Sequence, residues 1–396
     1  MAENRDKKVL NVPALRFPEF KGEWEKCKLS KVCSFFSGGT PPSSNKEYYN
    51  GNIPFIRSGE LHNDETELFI TKEGLDNSAA KTVEVGDLLL ALYGATSGDI
   101  AISKIKGAIN QAILCIRTKQ NKKFVESVWN KHVARLLQTY LQGGQGNLSA
   151  DIVKNIPFYF TNVEEQNKLA RFISLLDQRI AAQNKIIEKL QSLIKGIIVS
   201  HYSTTAHTIK VRIRELGEAY STMVMSKEQL TNDGNLCVFY GELFTLYGCV
   251  IDEVKSRTSL EKVSSTLSHG RDLLFPASTT VDAVSLIAPS ALMQKGIILG
   301  GDMFGIKVSE AYNPIYLSYY FNYISNKRLA KYAKGTTIIH LHYNEIANVA
   351  IELPNIGEQD KIVSTILEYS AKLSIEETIL EKLLDLKLYL LKQLFI

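Results

Sequence analysis

Residues 147–198 read NLSADIVKNIPFYFTNVEEQNKLARFISLLDQRIAAQNKIIEKLQSLIKGII, and residues 340–391 read HLHYNEIANVAIELPNIGEQDKIVSTILEYSAKLSIEETILEKLLDLKLYLL. A shift of 193 residues lays Asn155 on Asn348, Asn162 on Asn355 and Glu165-Gln166 on Glu358-Gln359. The same shift lays Lys168 on Lys361 and Lys189-Leu190 on Lys382-Leu383. Upstream, Gly86-Asp87-Leu88-Leu89 echoes Gly270-Arg271-Asp272-Leu273-Leu274. A repeat of this period means two half-units, each a globular segment followed by a helix.

The helices carry the clearest pattern. In the first, apolar residues fall at Leu169, Ile173, Leu176, Ile180, Ile187, Leu190, Ile194 and Ile197. These are alternating steps of four and three, a heptad a/d seam, with one gap at Gln183. The second repeats it through Ile362, Ile366, Tyr369, Leu373, Leu380, Leu383 and Leu390, with its gap at Glu376. A narrow seam suits a helix partner better than a sheet, so the two stripes are expected to pack on each other. The alternative is that each helix packs on its own globular segment. A polar residue at the same seam position twice fits register control, or a tolerated surface-leaning side chain. The second seam stumbles at Lys387, so its last turns are expected to re-pack onto Leu384, Leu388 and Leu391. Glu165-Gln166 and Glu358-Gln359 follow Pro157 and Pro354 into the first helical turn, where carboxylates suit the free N–H groups. They read as helix starters, not catalytic acids.

Between the helices, short apolar runs alternate with turn residues. Residues 53–57, 87–93 and 113–117 read as strands, with a helix over about 122–141 carrying Phe124, Val128 and Leu136 on one face. Gly38-Gly39-Thr40-Pro41-Pro42 and Gly143-Gly144-Gln145-Gly146-Asn147 read as loops. The second segment reads alike, with strands at 236–247, 272–276 and 297–299 and a helix at 314–333. The fold class is α+β: two mixed-sheet domains joined by two long helices. The boundaries read as domain 1–160, helix 161–203, domain 204–355 and helix 356–396.

The whole-chain charge is mild, 46 basic against 42 acidic residues. Local charge is uneven. Residues 101–150 hold Lys104, Lys106, Arg117, Lys119, Lys122, Lys123, Lys131 and Arg135 against the single acid Glu126. Residues 311–342 hold Lys327, Arg328, Lys331 and Lys334 with Tyr312, Tyr316, Tyr319, Tyr320, Tyr323 and Tyr332. Basic side chains interleaved with aromatics and Gly-rich loops suit nucleic-acid contacts. The opposite reading is a solvated helix face over core tyrosines.

Five cysteines without a CxxC pair argue against a disulfide framework or a four-ligand zinc site, and fit reduced thiols in the cytoplasm. The opening MAENRDKKVL has no apolar core of a signal peptide, and no run approaches the ~20 apolar residues of a membrane helix, so no membrane is expected. Gly94-Ala95-Thr96-Ser97-Gly98-Asp99 lacks the lysine of a P-loop. No HExxH or Cys/His cluster occurs, so neither a metal nor a catalytic residue is assigned. His340 and His342 sit at alternate positions and suit either a strand edge facing DNA or a half-buried pair. Asn313-Pro314-Ile315-Tyr316 resembles the Asn/Asp-Pro-Pro-Tyr/Phe loop of amino-methyltransferases, with isoleucine in place of the second proline. No Gly-rich cofactor turn followed by a helix accompanies it.

Taken in order, the motifs resemble one family. Val12-Pro13-Ala14-Leu15-Arg16-Phe17-Pro18-Glu19-Phe20 with Gly22 and Trp24, Gly39-Thr40-Pro41, and Ile53-Pro54-Phe55-Ile56-Arg57 are similar to type I restriction–modification specificity subunits. So are Gly86-Asp87-Leu88-Leu89, Tyr93-Gly94-Ala95-Thr96-Ser97-Gly98, Asn110-Gln111-Ala112 and the Glu165-Gln166 helix start. The resemblance spans essentially the whole chain and blurs over 208–300, where Tyr247-Gly248 and Pro276-Ala277-Ser278-Thr279 echo it loosely.

The resemblance implies that each globular segment is a target-recognition domain docking in a major groove of double-stranded DNA. It implies an antiparallel coiled coil of the two helices as spacer, with Leu169, Ile173, Leu176, Ile180, Ile187, Leu190, Ile362, Ile366, Tyr369, Leu373, Leu380 and Leu383 along it. Two modification subunits carrying S-adenosylmethionine would methylate adenine, and restriction/translocase subunits using Mg and ATP would cleave. The chain itself would bind no cofactor. A helix of about 35 residues spans roughly 50 Å at ~1.5 Å per residue, on the order of 15 base pairs. The expected DNA contacts in the first half are Gly39, Thr40, Arg57, Ser58, Tyr93, Thr96, Gln142, Gln145 and Asn147. In the second half they are His269, Arg271, Ser278, Thr279, Thr280, Lys334, Thr336 and Thr337. Arginine suits guanine, and asparagine or glutamine suits adenine. The rival readings are an N6-adenine methyltransferase built on the degenerate NPIY motif and a coiled-coil scaffold.

Overall fold

A computed structural model describes residues 10–141, 147–205 and 207–396. The chain divides into two compact units: Met1–Asn184 with Thr378–Ile396, and Lys185–Glu377. This division cuts through both long helices, because each unit takes a piece of each.

In the first unit, strands β1 (Cys33–Ser37), β2 (Leu88–Ala91), β3 (Ile100–Ile102) and β4 (Ile113–Thr118) form an antiparallel sheet in the order β1-β4-β2-β3. A second sheet runs Phe69–Ile70, Tyr49–Ile56, Gly107–Ile109, Lys81–Val83, with a parallel pair in its middle. Every residue of β2 is buried, which is why Leu88–Ala91 reads as an unbroken apolar run instead of an alternating one. Helices α1 (Lys122–Leu141) and α2 (Val163–Thr204) follow.

The second unit builds the same sheet from β5 (Gly217–Ser221), β6 (Asp272–Pro276), β7 (Ser290–Leu292) and β8 (Met303–Val308), in the order β5-β8-β6-β7. Val250–Ile251 extends its edge in parallel. Its second sheet pairs Asn235–Phe239 in parallel with Lys295–Gly300. Helices α3 (Pro314–Tyr323) and α4 (Ile356–Leu394) complete it. Two expected elements are shorter than their patterns. The strand expected over 236–247 ends at Phe239, because the Glu242 carboxylate caps the Phe239 N–H and a helical turn begins. The helix expected to reach 333 ends at Tyr323 and restarts at Asn326–Leu329.

Each unit closes with a two-stranded ladder: Glu25–Lys28 on Pro157–Phe160, and Ile209–Arg212 on Ala350–Leu353. Each ladder joins the segment entering the domain to the one leaving for a long helix.

The long helices run antiparallel in both units. In the first, Leu169 and Ile173 share a core with Leu390, Leu391, Leu394 and Phe395, and the Lys387 ammonium lies 2.7 Å from the Asp177 carboxylate. In the second, Ile194 and Ile198 share a core with Val363 and Ile366, with Ile197, Ile362, Tyr369 and Leu373 packed against it. Both packing alternatives therefore hold at once, since the same cores include sheet residues such as Leu88 and Phe275. Of the three leucines expected to re-pack past Lys387, only Leu391 is buried. Leu384 and Leu388 stay exposed, whereas Leu390 and Leu394 continue the a/d register. Lys387 keeps its seam place by carrying its charge out to Asp177, with its stem along the seam. The two polar seam positions differ: Gln183 is fully buried and Glu376 is half-buried.

Candidate nucleic-acid interface

Each unit has two ends, set by the direction of its central strand. The end where β2 or β6 begins faces the start of a long helix, and the other end carries loops.

The helix end is one joint built twice. Gln166 and Gln359 are both fully buried. The Gln166 side chain donates to Gln120 Oε1 (2.7 Å) and to the Thr161 carbonyl (2.6 Å), and accepts from the Asn121 backbone N–H (3.1 Å). Gln359 donates to the Pro354 carbonyl (2.8 Å) and accepts from the Asn313 N–H (2.9 Å). Asn121 and Asn313 then cap α1 and α3, and their side-chain amides donate to Asn167 and Asp360, each at 2.8 Å. Asn162 and Asn355 cap the Glu165 and Glu358 N–H groups, so these glutamates do open the long helices. Glu165 also takes a bidentate pair from Arg16 at 2.7 Å.

This joint answers the methyltransferase reading. The Asn313 side-chain Oδ1 accepts from the Ile315 and Tyr316 N–H groups and its Nδ2 donates to Asp360. Tyr316 is wholly buried. Asn-Pro-Ile-Tyr is a helix start, with Asn at the cap and Pro at the first turn. It leaves no side chain for a target amine.

The basic runs also resolve. In the first unit, Arg117 and Lys122 lie on Asp87 (2.8 and 3.8 Å), Lys106 on Glu84, Lys123 on Glu126 and Asp177, and Lys131 on the Phe395 carbonyl. Those cations tie the domain together and do not form one binding face. In the second, Tyr312, Tyr316, Tyr319 and Tyr320 are core residues. Burial pushes the phenols of Tyr319 up to about 12 and of Tyr316 and Tyr320 higher still. The interleaving of aromatics and basics is thus a packed helix with charges on its outer turns.

At the loop end of the first unit, most expected contacts converge. The Gly39 N–H donates to Ile109, Thr40 hydrogen-bonds Gln111, and Leu92 donates to Ala112 while Leu148 donates to Leu92. Asn110 donates to Ile56, the residue before Arg57. Gly39, Thr40, Arg57, Ser58, Tyr93, Thr96 and Asn147 therefore share one end. Gly39 is buried: an added Cβ would meet Ala79 at 2.6 Å, so its value is close packing. Gln142 and Gln145 lie outside the described residues. The Arg57 guanidinium is held by Glu60 (3.0 Å) and Glu67 (2.8 Å). Burial pushes the Glu60 carboxyl up. Hydrogen bonds from the Arg57 side chain and from the Arg57 and Glu67 N–H groups outweigh it and hold the carboxyl at about 2. His62, missed in the sequence, lies 2.9 Å from Asp99 at the foot of the Gly94–Gly98 turn, and that carboxylate raises its pKa against burial.

At the loop end of the second unit, Ser278 pairs with His340 and Thr279 with Ile339, which sets Ser278–Thr280 beside Lys334–Thr337. Asp302 joins them, its carbonyl accepting from Ala277 (2.8 Å). Two expected contacts lie elsewhere. His269 and Arg271 precede β6 and so sit at its helix end. The Arg271 guanidinium donates to the carbonyls of Ser309 (3.2 Å) and Tyr312 (2.6 Å), and His269 Nδ1 lies 3.0 Å from Asp272. Arg271 braces the joint and His269 packs on Asp272 and Tyr220, because the Gly270 turn opens a strand, whereas Gly94 and Gly301 follow one. The Gly-Asp-Leu-Leu echo itself holds, since Asp87 stands just before β2 and Asp272 opens β6.

Two copies of one sheet and one joint, each feeding a long helix, match a family model over residues 21–192 and 208–385: the type I restriction modification DNA specificity domain. The chain belongs to that family. Its relatives include the MjaVIII and MjaIX type I restriction enzyme specificity subunits of Methanocaldococcus jannaschii, 24% and 27% identical over 192 and 182 residues. Those alignments take in 46% and 42% of this chain and 42% of each relative, so the chain spans about two-fifths of the length of the relatives it matches. Among solved structures, the S subunit of a type I system from M. genitalium superimposes with TM-score 0.58 at 15% identity. That superposition covers 97% of this chain and 99% of that one. A chain from work on assembly and conformational transition of the type I R-M system gives TM-score 0.57 at 15% identity, covering 94% and 97%. At that identity the likeness is one of fold: two specificity-domain repeats with paired helices.

Among the described residues, no helix is long and apolar enough to cross a membrane, and no three His, Cys, Asp or Glu side chains converge as metal ligands.

Proposed function

We propose that this chain reads a split DNA target for a type I restriction–modification assembly and does no chemistry itself. Each loop end docks in a major groove over one half-site, and the helix pair sets the unread gap. Adenine methylation then falls to two modification subunits carrying S-adenosylmethionine, and cleavage to restriction/translocase subunits using Mg and ATP. The observation that carries this reading is the joint built twice. Buried Gln166 and Gln359 lock equivalent helix starts onto equivalent domains, while the loops at the far ends differ. A rigid mount with a variable tip is what positional reading needs, because contacts must be held to within fractions of an ångström to discriminate bases. A pure coiled-coil scaffold would have no use for two elaborated loop ends.

The test is expression with the partner methylase followed by mapping of methylated bases. A motif of two short half-sites around a fixed gap is expected, together with DNA binding that weakens as salt rises. S-adenosylmethionine-dependent methylation by the isolated chain would overturn the assignment of chemistry to the partners.

A further inference from the structure

At the loop end of the second unit, three segments are stitched together through their backbones. Ala277 donates to Asp302 (2.8 Å), Leu341 donates to Ala277 (2.9 Å), and Lys334 and His340 exchange both backbone bonds (2.8 and 2.7 Å). Such cross-linking presents side chains in fixed directions. Residues 340–342 alternate as a strand does: Leu341 is wholly buried, so His340 and His342 both face outward. Their rings lie 6.1 Å apart and nearly parallel. Asp302, at the turn between Lys295–Gly300 and β8, places its carboxylate 3.8 Å from His340 Nδ1, each side chain 44% exposed. Asp302, Lys334, Gly335, His340, His342 and Glu345 line one open cavity of about 480 Å³.

The two acids of this cavity differ. Glu345 is satisfied internally, accepting from the His342 N–H (3.0 Å) and facing the Lys334 ammonium (2.9 Å). Asp302 has an imidazole at the edge of ion-pair range. An outward carboxylate on a surface meant for DNA is repelled by phosphate, and its place there makes sense if it meets a donor. In the major groove the cytosine N4 amine is such a donor, and its guanine partner offers the acceptors N7 and O6 to an imidazole N–H.

We infer that Asp302 and His340 are specificity-determining residues that read a C·G pair in the second half-site, Asp302 accepting from the cytosine amine and His340 donating to the guanine. This rests on the DNA-reading function proposed above. The first unit's loop end carries Thr40 with Gln111, Asn110 beside them and a closer His62–Asp99 pair at 2.9 Å, so there the imidazole is already taken up by its carboxylate.

The experiment is methylome mapping of the assembled complex with wild-type, Asp302→Asn and Asp302→Ala subunits. The wild type should show a C·G position in the second half-site. Both variants should accept other pairs there, with discrimination falling about tenfold or more, as for loss of a good base contact. The first half-site and the gap should stay unchanged, which also reports that the variant is folded. In competition binding, exchanging that pair for A·T should weaken the wild-type complex and leave the Asp302→Ala complex unaffected. A second half-site without a C·G position, or identical motifs from all three subunits, overturns the inference. So does loss of the entire motif in both variants, which would make Asp302 a folding residue. Absence of any bipartite motif from the wild type would instead sink the underlying function.

Discussion

The helix end and the loop end of each unit obey different rules. At the helix end the two halves use the same residue types for the same bonds: an asparagine caps the domain helix, and a buried glutamine reaches back to it from the long helix. At the loop end the halves share a backbone plan but not their chemistry. The first is braced by Arg57, Glu60 and Glu67, and the second gathers Asp302, His340 and His342. A buried polar joint tolerates little change, because an unmet donor or acceptor costs its full desolvation. A solvent-facing loop costs little to alter, so that is where duplicated domains are free to acquire different targets.

The largest effect that would sharpen this contrast is on the spacer. Removing a matched heptad from each long helix, 180–186 with 377–383, keeps the seam in phase and shortens it by about 10 Å, or about three base pairs. Mapping of methylated sites should show the same half-sites around a shorter gap. An unchanged gap would separate the helix pair from site geometry.

Truncation of the core should hurt both units alike. Ile173→Ala and Ile366→Ala each empty a buried seam position and should cost about 2–5 kcal/mol in denaturant unfolding. A neutral result in one unit would break the equivalence of the two cores.

The joints should respond unequally. Gln166→Ala strands three polar groups and Gln359→Ala two, so the costs should lie at about 1–3 kcal/mol with Gln166→Ala the larger. Equal losses would mean that the additional bond to Gln120 contributes nothing.

The smallest effect separates the loop ends by pH. Because the folded Glu60 carboxyl is held at about 2, below its usual value of 4.5, the stability it contributes is present above pH 4.5. It is lost as pH falls towards 2. Glu60→Gln should therefore lower stability at pH 7 by about 1–2 kcal/mol and make no difference near pH 2. Thermal melts of wild type and variant across this range check it. A constant difference would deny Glu60 its charged role.

The duplication, the heptad seams and the helix starts were legible in the sequence because each rests on local periodicity or on a cap. Which end of a domain a turn occupies was not legible. Gly270 and Gly301 are both positive-φ turn glycines, and only strand order places one against a long helix and the other among the loops. Charge misled for a related reason. The basic residues cluster in sequence, but the Asp87 and Asp177 carboxylates that pair with them and the Phe395 carbonyl that accepts from Lys131 come from elsewhere in the chain. Asp302 gave no sequence signal at all.

The amino-acid sequence alone determined that this protein is two like halves, each ending in a long helix with one apolar seam, since spacing along a helix is a property of the chain itself. Tertiary structure decided which polar groups are consumed in fastening each long helix to its own domain and which are left facing solvent. That is settled by partners distant in sequence, and burial makes those pairings obligatory.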